Sequence, residues 1–219
     1  MENGSGGDTL EELIARGAEA ELWLRNWNRL KVIFKTRRPK KYRHPELDKQ
    51  LRSSRTGREA DILHKAKIIG VPTPLIYMLD LEKATIVMEF IDGVKVRDLV
   101  NDLDDESRFE LFTRIGEYSG LLHKGGIIHG DLTTSNIIKQ GKRIVFIDFG
   151  LSEISFELEK RGVDLNLMNR MLTSTHYKYQ EELLHAFMEG YRSRMGVEAD
   201  EAIERMEEVA MRGRYIEKE

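Results

Sequence analysis

Two short motifs constrain the fold of this chain more than any other feature of its sequence. Residues 129–136 read HGDLTTSN, so Asp131 precedes Asn136 by five positions. Residues 148–150 read DFG and directly follow an apolar, strand-like run. An Asp, an Asn five positions on and then a strand-borne Asp form the layout that aligns a substrate hydroxyl and Mg²⁺ with a nucleotide γ-phosphate. The motifs predict that Asp131 orients the attacking oxygen, while Asn136 and Asp148 hold Mg²⁺ through hard oxygen ligands.

Bulk composition limits the chain to globular classes. Its 219 residues, 40% of them hydrophobic, suit one domain or two small lobes with a sizeable core. No apolar run approaches the length of a membrane helix, and the N-terminal MENGSGGD lacks the features of a signal peptide, so we expect a cytoplasmic protein. Zero cysteines exclude disulfides and thiol catalysis, and a net charge of -3 argues against nucleic-acid binding over the whole surface.

Hydrophobic periodicity divides the chain into a strand-rich and a helix-rich part. The first part is predicted to hold strands at 10–16, 20–25, 30–35, 75–80 and 85–90, with a long helix from Pro45 to about residue 68. The second part is predicted to hold a helix to about residue 124, short strands near 137 and at 144–147, and three helices over 160–211. We therefore expect an α+β fold with a flexible tail at 1–8, lobes at 9–92 and 93–211, and a basic tail at 212–219.

A lone cation ends the third predicted strand. Lys35 closes the run VIFK, where the α- and β-phosphates of a nucleotide would lie. Its expected partner is an acid on the following helix. Glu59 fits this role because Leu63, four residues on, shares its helix face, and a phosphate-binding lysine needs a partner deep in the lobe. Glu46, at the start of the helix, is the competing candidate.

Residues 86–93, IVMEFIDG, are predicted to link the lobes and to contact the base of the nucleotide. The backbone carbonyl of Glu89 and the N–H of Ile91 are expected to bond the adenine edge. Met88 is expected to line the back of the pocket. An edge strand followed by a turn is the alternative interpretation.

Together these segments resemble the protein-kinase-like superfamily over residues 9–211. Within that superfamily the chain is most similar to the small atypical kinase of the KEOPS (EKC) complex. The resemblance rests on ARGAEA at 15–20, KYRHPELD at 41–48, HGDLTTSN, and GVDL at 162–165. It implies a bilobal protein-kinase-like fold, ATP and Mg²⁺ as ligands, and a place in the assembly that makes threonylcarbamoyladenosine on tRNA.

Departures from ordinary kinases affect individual residues. Only Gly17 stands where a glycine-rich phosphate loop is expected, so the lid is predicted to be stiff. Ile33 replaces the usual Ala and narrows the roof of the adenine pocket, and Gly130 replaces the Arg of H-R-D. Asp164 resembles the helix acid that bonds the catalytic-loop backbone. It follows Asp148 by 16 residues with no Ala-Pro-Glu between them, so the substrate-docking platform is predicted to be largely absent.

The resemblance also implies partners. A threonylcarbamoyltransferase subunit is expected at the C-terminal lobe near residues 151–161, and a small regulatory subunit at the N-terminal lobe. Transfer RNA is expected to be reached through the complex. Basic clusters at 37–43 and 212–215 are candidate contacts with its phosphates, the first as an exposed loop because like charges repel one another. A merely solvated surface is the alternative for both clusters.

Several functions remain open at this level. The main hypothesis is an ATP-dependent serine/threonine kinase or ATPase of the KEOPS complex. A RIO-type kinase is one alternative. Another is a small-molecule phosphotransferase of the aminoglycoside or choline kinase type, for whose extra helices 219 residues leave little room. The third is a scaffold switched by ATP with little catalysis, which the missing docking platform favours.

Overall fold

The structure is a computed structural model that describes residues 11–216, with side chains up to residue 212. The described chain divides into two compact units, one of residues 11–61 and 74–91, the other of residues 62–73 and 92–216. The predicted tail at 1–8 lies outside the described residues. The segment 62–73 was predicted in the N-terminal lobe. It groups with the second unit because the Pro72 and Thr73 carbonyls accept hydrogen bonds from Phe146 and Arg143.

A five-stranded antiparallel sheet forms the first unit, in the order β1-β2-β3-β5-β4. Its elements are β1 (Glu11–Arg16), β2 (Ala20–Trp27), β3 (Leu30–Arg37), α1 (Pro45–Ile68), β4 (Ile76–Asp80) and β5 (Thr85–Glu89). Asn28 and Arg29 have positive φ, as a two-residue type I′ turn between β2 and β3 requires. Ala60 of α1 packs with Ile86 and Met88 of β5, which fixes the helix on the sheet.

Five α-helices and two small sheets build the rest of the described chain. The elements are β6 (Val94–Lys95), α2 (Val96–Leu99), α3 (Asp105–Lys124), β7 (Ile127–Ile128), β8 (Ile137–Gln140), β9 (Arg143–Phe146), β10 (Glu153–Ile154), α4 (Leu158–Thr175), α5 (Gln180–Met195) and α6 (Ala199–Ile216). Strands β6, β8 and β9 form one sheet, and β7 pairs with β10. Asp104 caps α3 by accepting the Ser107 N–H at 2.7 Å. In the described residues no helix is long and apolar enough to cross a bilayer.

The α+β fold class is confirmed, and the main predicted strands and helices agree closely with the observed ones. Two expectations about basic segments are wrong. Arg37 does not belong to an exposed loop: it is the last residue of β3 and only 4% exposed, because acidic side chains surround its guanidinium. Residues 212–216 are not a tail, because α6 continues to Ile216, and Arg212 donates to Glu159 at 2.8 Å.

Glycines allow α3 and α5 to cross at close range. A Cβ built on Gly116 would lie 1.9 Å from the Phe187 carbonyl oxygen, and one on Gly190 would lie 1.8 Å from that of Thr113. No side chain fits at either position without separating the helices. The close crossing fixes α3, whose C-terminal end leads into β7 and the HGDLTTSN segment.

Replacing Gly116 by Ala is expected to lower the free energy of unfolding by about 1–3 kcal/mol or more, because the methyl group forces α3 away from α5. Equilibrium urea denaturation measures the loss. Gly57→Ala in α1 is the control: its Cβ would meet only Leu81, at 3.5 Å, so better helix propensity should raise stability by up to about 1 kcal/mol. Similar losses in both variants would contradict the packing argument.

Candidate active site

The HGDLTTSN segment brings Asp131 and Asn136 into direct contact. It leaves β7 and enters β8 through a short 3₁₀ turn, Thr134–Asn136. The Asn136 Nδ2 donates to Asp131 Oδ2 at 2.7 Å and to the Asp131 carbonyl at 3.0 Å. The amide group thus fixes the orientation of the carboxylate. Because its nitrogen is used in this way, the Asn136 Oδ1 is the atom suited to a metal ion.

Asp148 lies two residues beyond β9, beside the end of the HGDLTTSN segment. The Ile147 N–H donates to the Asn136 carbonyl at 2.9 Å, which joins the two motifs through the backbone. Asp148 has a φ of +61°, a left-handed conformation that is uncommon for a residue with a side chain. Its carboxylate is exposed and accepts the Gly150 N–H at 3.3 Å. The strained backbone therefore presents a carboxylate to solvent.

The oxygen donors of this region suit Mg²⁺. The Asp148 carboxylate and the Asn136 amide oxygen are hard ligands of the kind that Mg²⁺ prefers. Among residues 11–212 no group of three or more His, Asp or Glu side chains is placed to hold a metal alone. A Mg²⁺ ion would therefore depend on water and phosphate oxygens for its remaining ligands, which is how this ion is usually bound beside nucleotides.

A buried carboxylate on α4 holds the start of the catalytic loop. Asp164, 1% exposed, accepts the His129 N–H at 2.8 Å and the Gly130 N–H at 2.9 Å, as the sequence predicts. Its Oδ2 also lies 3.1 Å from the His123 Nε2. Burial acts to raise the pKa of Asp164, but its hydrogen bonds with the His123 side chain and with the His129 N–H lower it. Asp164 therefore stays ionised at neutral pH.

Sequence reasoning missed His123 and Tyr191, which support Asp164. The Tyr191 hydroxyl lies 3.0 Å from the His123 Nδ1, and burial raises the pKa of this hydroxyl, so it remains protonated. The Tyr191 hydroxyl and the Asp164 carboxylate thus engage the two ring nitrogens of His123. The three side chains come from α5, α3 and α4, so no local motif could have linked them.

His129 and Gly130 are fixed by their backbone surroundings. The fully buried His129 ring contacts the Phe149 ring at a tilt of 46°, with 4.6 Å between centroids, and its Nδ1 accepts the Asp131 N–H at 3.3 Å. Gly130 has a φ of +77°, and a Cβ there would lie 2.4 Å from the Leu151 carbonyl oxygen. No arginine could occupy this position without moving the chain, which explains the departure from H-R-D in steric terms.

The predicted pair of Lys35 and Glu59 is present in the first unit. The Lys35 Nζ donates to Glu59 Oε1 at 2.5 Å, and both side chains are buried. Glu46 is not the partner: it is exposed in the first turn of α1, where its charge favours the helix dipole. A second cation, Arg37, donates to Glu59 Oε2 at 2.7 Å. The role of Lys35 as a phosphate ligand stays a prediction.

The other predicted nucleotide contacts also lie in the first unit. Ile33 on β3 is opposite Met88 on β5, so the strand pairing brings these apolar side chains together. Glu89 ends β5, where its N–H donates to the Leu75 carbonyl at 2.8 Å. Ile91 is buried, and Gly17 is exposed in the turn between β1 and β2. Their contacts with a base or phosphate stay predictions.

Comparisons with known proteins identify the family. A family model described as the RIO domain matches residues 26–155. The chain is 42% identical over 214 residues to the KEOPS complex subunit Bud32 of Pyrococcus abyssi, which covers 94% of this chain and 97% of that protein. The chain belongs to the Bud32 family of RIO-domain proteins. The resemblance to the atypical kinase of the KEOPS complex is thus confirmed.

Two further relatives show how Bud32 regions occur in longer and shorter proteins. A probable serine/threonine-protein kinase BUD32 homolog of Archaeoglobus fulgidus is 43% identical over 92% of this chain and 95% of its own length. A probable bifunctional tRNA threonylcarbamoyladenosine biosynthesis protein of Methanothermobacter thermautotrophicus is 44% identical over 94% of this chain. The match covers only 37% of that protein, so the Bud32-like region is one part of a larger chain there.

The buried His129 predicts an acid-sensitive fold. Burial lowers the pKa of His129, and this effect exceeds the opposing effect of the nearby Asp164, Asp131 and Asp148 charges. The imidazole is therefore neutral in the folded protein. In the unfolded chain, His has a pKa of about 6.5. The unfolded chain then binds the extra proton, and stability that is present above pH 6.5 is lost as the pH falls. His129 alone should cost roughly 1 kcal/mol between pH 6.5 and 5.5.

Urea denaturation of the wild type and His129→Gln at both pH values measures this contribution. The variant is expected to lose less stability on acidification than the wild type. His64→Gln, at an exposed position on α1, is the matched control and should behave like the wild type. Equal acid sensitivity of His129→Gln and the wild type would contradict the assignment.

Proposed function

We propose that the chain is an ATP- and Mg²⁺-dependent kinase or ATPase of the serine/threonine type that acts as a KEOPS subunit in threonylcarbamoyladenosine modification of tRNA. The contact of the Asp131 carboxylate with Asn136, beside Asp148 and anchored by Asp164, is the observation that carries the enzymatic part. The names of the relatives support the tRNA part. The match to a RIO domain is compatible with both the main hypothesis and the RIO-type alternative.

Each proposed catalytic residue has one task. Asp131 orients the attacking hydroxyl or water and accepts its proton, with Asn136 holding the carboxylate in place. Asn136 Oδ1 and Asp148 hold Mg²⁺, which when bound neutralises charge on the phosphates. Lys35, oriented by Glu59, donates to the α- and β-phosphates. These tasks need positioned charge rather than covalent chemistry, and the buried hydrogen bonds supply that positioning.

The base of the nucleotide is proposed to lie against the first unit. Ile33 and Met88 are the apolar pair that contacts the ring faces, since strand pairing places them side by side. The Glu89 carbonyl and the Ile91 N–H bond the adenine edge. Gly17, in the β1–β2 turn, covers the phosphates.

Asp131→Asn is expected to bind MgATP like the wild type while losing at least about 100-fold in γ-phosphate release or transfer, because the amide cannot accept the proton. Asp148→Asn is expected to weaken the Mg²⁺-dependent part of ATP affinity, because a carboxylate ligand is lost. Isothermal titration with and without Mg²⁺ and an assay of ADP release separate the two effects. Asp98→Asn, exposed on α2, is the control. Unchanged turnover in both site variants would refute the assignment.

A surface for the transferase subunit is proposed at residues 151–161. Leu151 and Phe156 are 64% and 65% exposed in the segment that follows the DFG motif, and exposed apolar patches mark interaction sites. In the bifunctional relatives a Bud32-like region shares one chain with further sequence, which supports a lasting contact with another component of the pathway. The small regulatory subunit is proposed to bind the first unit, and tRNA to be reached through the assembled complex.

Changing Leu151 and Phe156 together to Ser is expected to weaken binding of the purified transferase subunit by at least about tenfold, because the apolar anchors are lost. Biolayer interferometry measures the affinity. Val197→Ser is the matched control, since Val197 is 97% exposed before α6. Unaltered affinity of the double variant would place the contact elsewhere.

An ATP-switched scaffold is the second candidate function. Between the DFG motif and α4 the structure has only the two-residue strand β10, which leaves little chain for a peptide-docking platform. The deciding measurement is tRNA modification by the assembled complex with wild type and with Asp131→Asn. Full activity with the variant would show that the presence of the chain, not its chemistry, is required, whereas loss of activity would show that the chemistry is required.

A further inference from the structure

Glu59 is bound by two cations rather than one. Arg37 lies two residues after Lys35 on β3, so both side chains leave the same face of the sheet. The Lys35 Nζ donates to Oε1 of Glu59 at 2.5 Å, and the Arg37 Nη2 donates to Oε2 at 2.7 Å. Glu59 and Arg37 are 2% and 4% exposed. Both oxygens of one buried carboxylate are thus held by separate charges.

Arg37 also reaches the turn between β1 and β2. Its Nη1 donates to Glu19 Oε2 at 3.3 Å, and Arg55 of α1 donates to the same oxygen at 2.7 Å. Partial burial acts to raise the pKa of Glu19, but the hydrogen bond and charge of Arg55 and the charges of Arg37 and Lys40 together lower it. Glu19 is therefore ionised at neutral pH and remains an acceptor for Arg37.

Hydrogen bonds to its backbone carbonyls hold the same turn against the chain that follows β3. The Arg38 N–H donates to the Glu19 carbonyl at 3.0 Å, and the Lys40 Nζ donates to the Ala18 carbonyl. The Gly17 N–H donates to the Ala20 carbonyl at 2.9 Å across the turn. A turn with one glycine is thus fixed by contacts that a mobile glycine-rich loop would not make.

Phosphate binding by Lys35 would weaken the ion pair of Lys35 with Glu59, and Arg37 can compensate for this loss. A phosphate competes with Glu59 for the Lys35 ammonium group. A buried carboxylate that loses its only cation is strongly disfavoured. Because Arg37 still donates to Glu59, the Lys35 charge can be shared with a phosphate without leaving Glu59 unpaired.

We propose that Arg37 is a positioning residue for the phosphates of the nucleotide. It keeps Glu59 paired while Lys35 binds phosphate, and through Glu19 it fixes the turn that carries Gly17. This inference rests on the proposed function, because it requires a nucleotide phosphate at Lys35. In this role Arg37 affects the binding of ligands that carry phosphates and not the binding of adenosine. A purely structural role would affect both kinds of ligand alike.

Isothermal titration of the full chain with MgATP and with adenosine tests the inference. Arg37→Gln is expected to weaken MgATP binding about tenfold and to leave adenosine binding within about twofold of the wild type. Arg37→Lys keeps a charge beside Glu59 but loses the fork to Glu19, so it should restore part of the MgATP affinity. Arg38→Gln is the matched control: Arg38 is exposed on the same segment, and neither ligand should bind differently.

Glu19→Gln supplies a variant that does not disturb the buried carboxylate. The Glu19 side chain is 44% exposed, and Glu59 keeps both cations when it is changed. It should weaken MgATP binding alone, and the double variant with Arg37→Gln should lose less than the sum of the two single losses because the residues act as a unit. Thermal denaturation of each variant verifies that it is folded.

Two results would overturn the role of Arg37 while leaving the proposed function intact. One is unchanged MgATP affinity in both Arg37→Gln and Glu19→Gln. The other is an equal loss of MgATP and adenosine affinity in Arg37→Gln and Arg37→Lys with no effect in Glu19→Gln, which would mean that Arg37 serves only the fold. Wild-type chain that binds adenosine but gains nothing from the phosphates of ATP would refute the proposed function itself, and the inference with it.

Discussion

The carboxylate of Asp164 is the interaction on which the arrangement of the second unit depends. It is buried, where an unpaired charge would be strongly unfavourable, and its cost is offset by the N–H groups of His129 and Gly130 and by His123. The acceptor thus fixes the direction of the backbone that enters the catalytic loop. The placement of Asp131 follows from that direction, because only one residue separates it from the His129 anchor.

Glu59 plays the same physical part in the first unit. Like Asp164, it is a buried carboxylate whose two oxygens are both occupied, here by Lys35 and Arg37. Such pairs add little net stability compared with apolar side chains, so their value lies in specifying one geometry. Both carboxylates lie on helices and bind groups on neighbouring segments. Because each carboxylate is held by a rigid helix, the groups that it binds have fixed positions, and these groups include or adjoin residues proposed to act on ATP.

Local sequence patterns predict most of the strands and helices and the polar residues at the centre of the candidate site. Asp131, Asn136 and Asp148 were predictable because their spacing in two contiguous motifs already reflects their geometry. Glu59 was predictable because helix periodicity turned it inward. His123 and Tyr191 were not, because their contact joins residues 68 positions apart on different helices. Sequence patterns of a single helix show only that such side chains are buried.

Arg37 shows a different limit of sequence reasoning. Its neighbours are mostly basic, and repulsion among them correctly suggests that the segment needs solvent or counter-charge. The counter-charges are Glu19 and Glu59, which lie 18 and 22 positions away along the chain. Local charge counting therefore predicted an exposed arginine where the sheet and α1 create a buried one. Arg212 also has a distant acidic partner, Glu159, 53 positions before it along the chain, but its side chain stays exposed.

Fixed contacts replace several parts that are adjustable in ordinary kinases. Gly130 removes the arginine that would read a phosphorylated activation segment, and its positive φ and close approach to Leu151 leave no room for one. The β1–β2 turn is held by charged side chains instead of carrying several glycines. The exposed apolar segment after the DFG motif is the surface proposed for a partner, and this fits a protein with a relative named as a subunit of a complex.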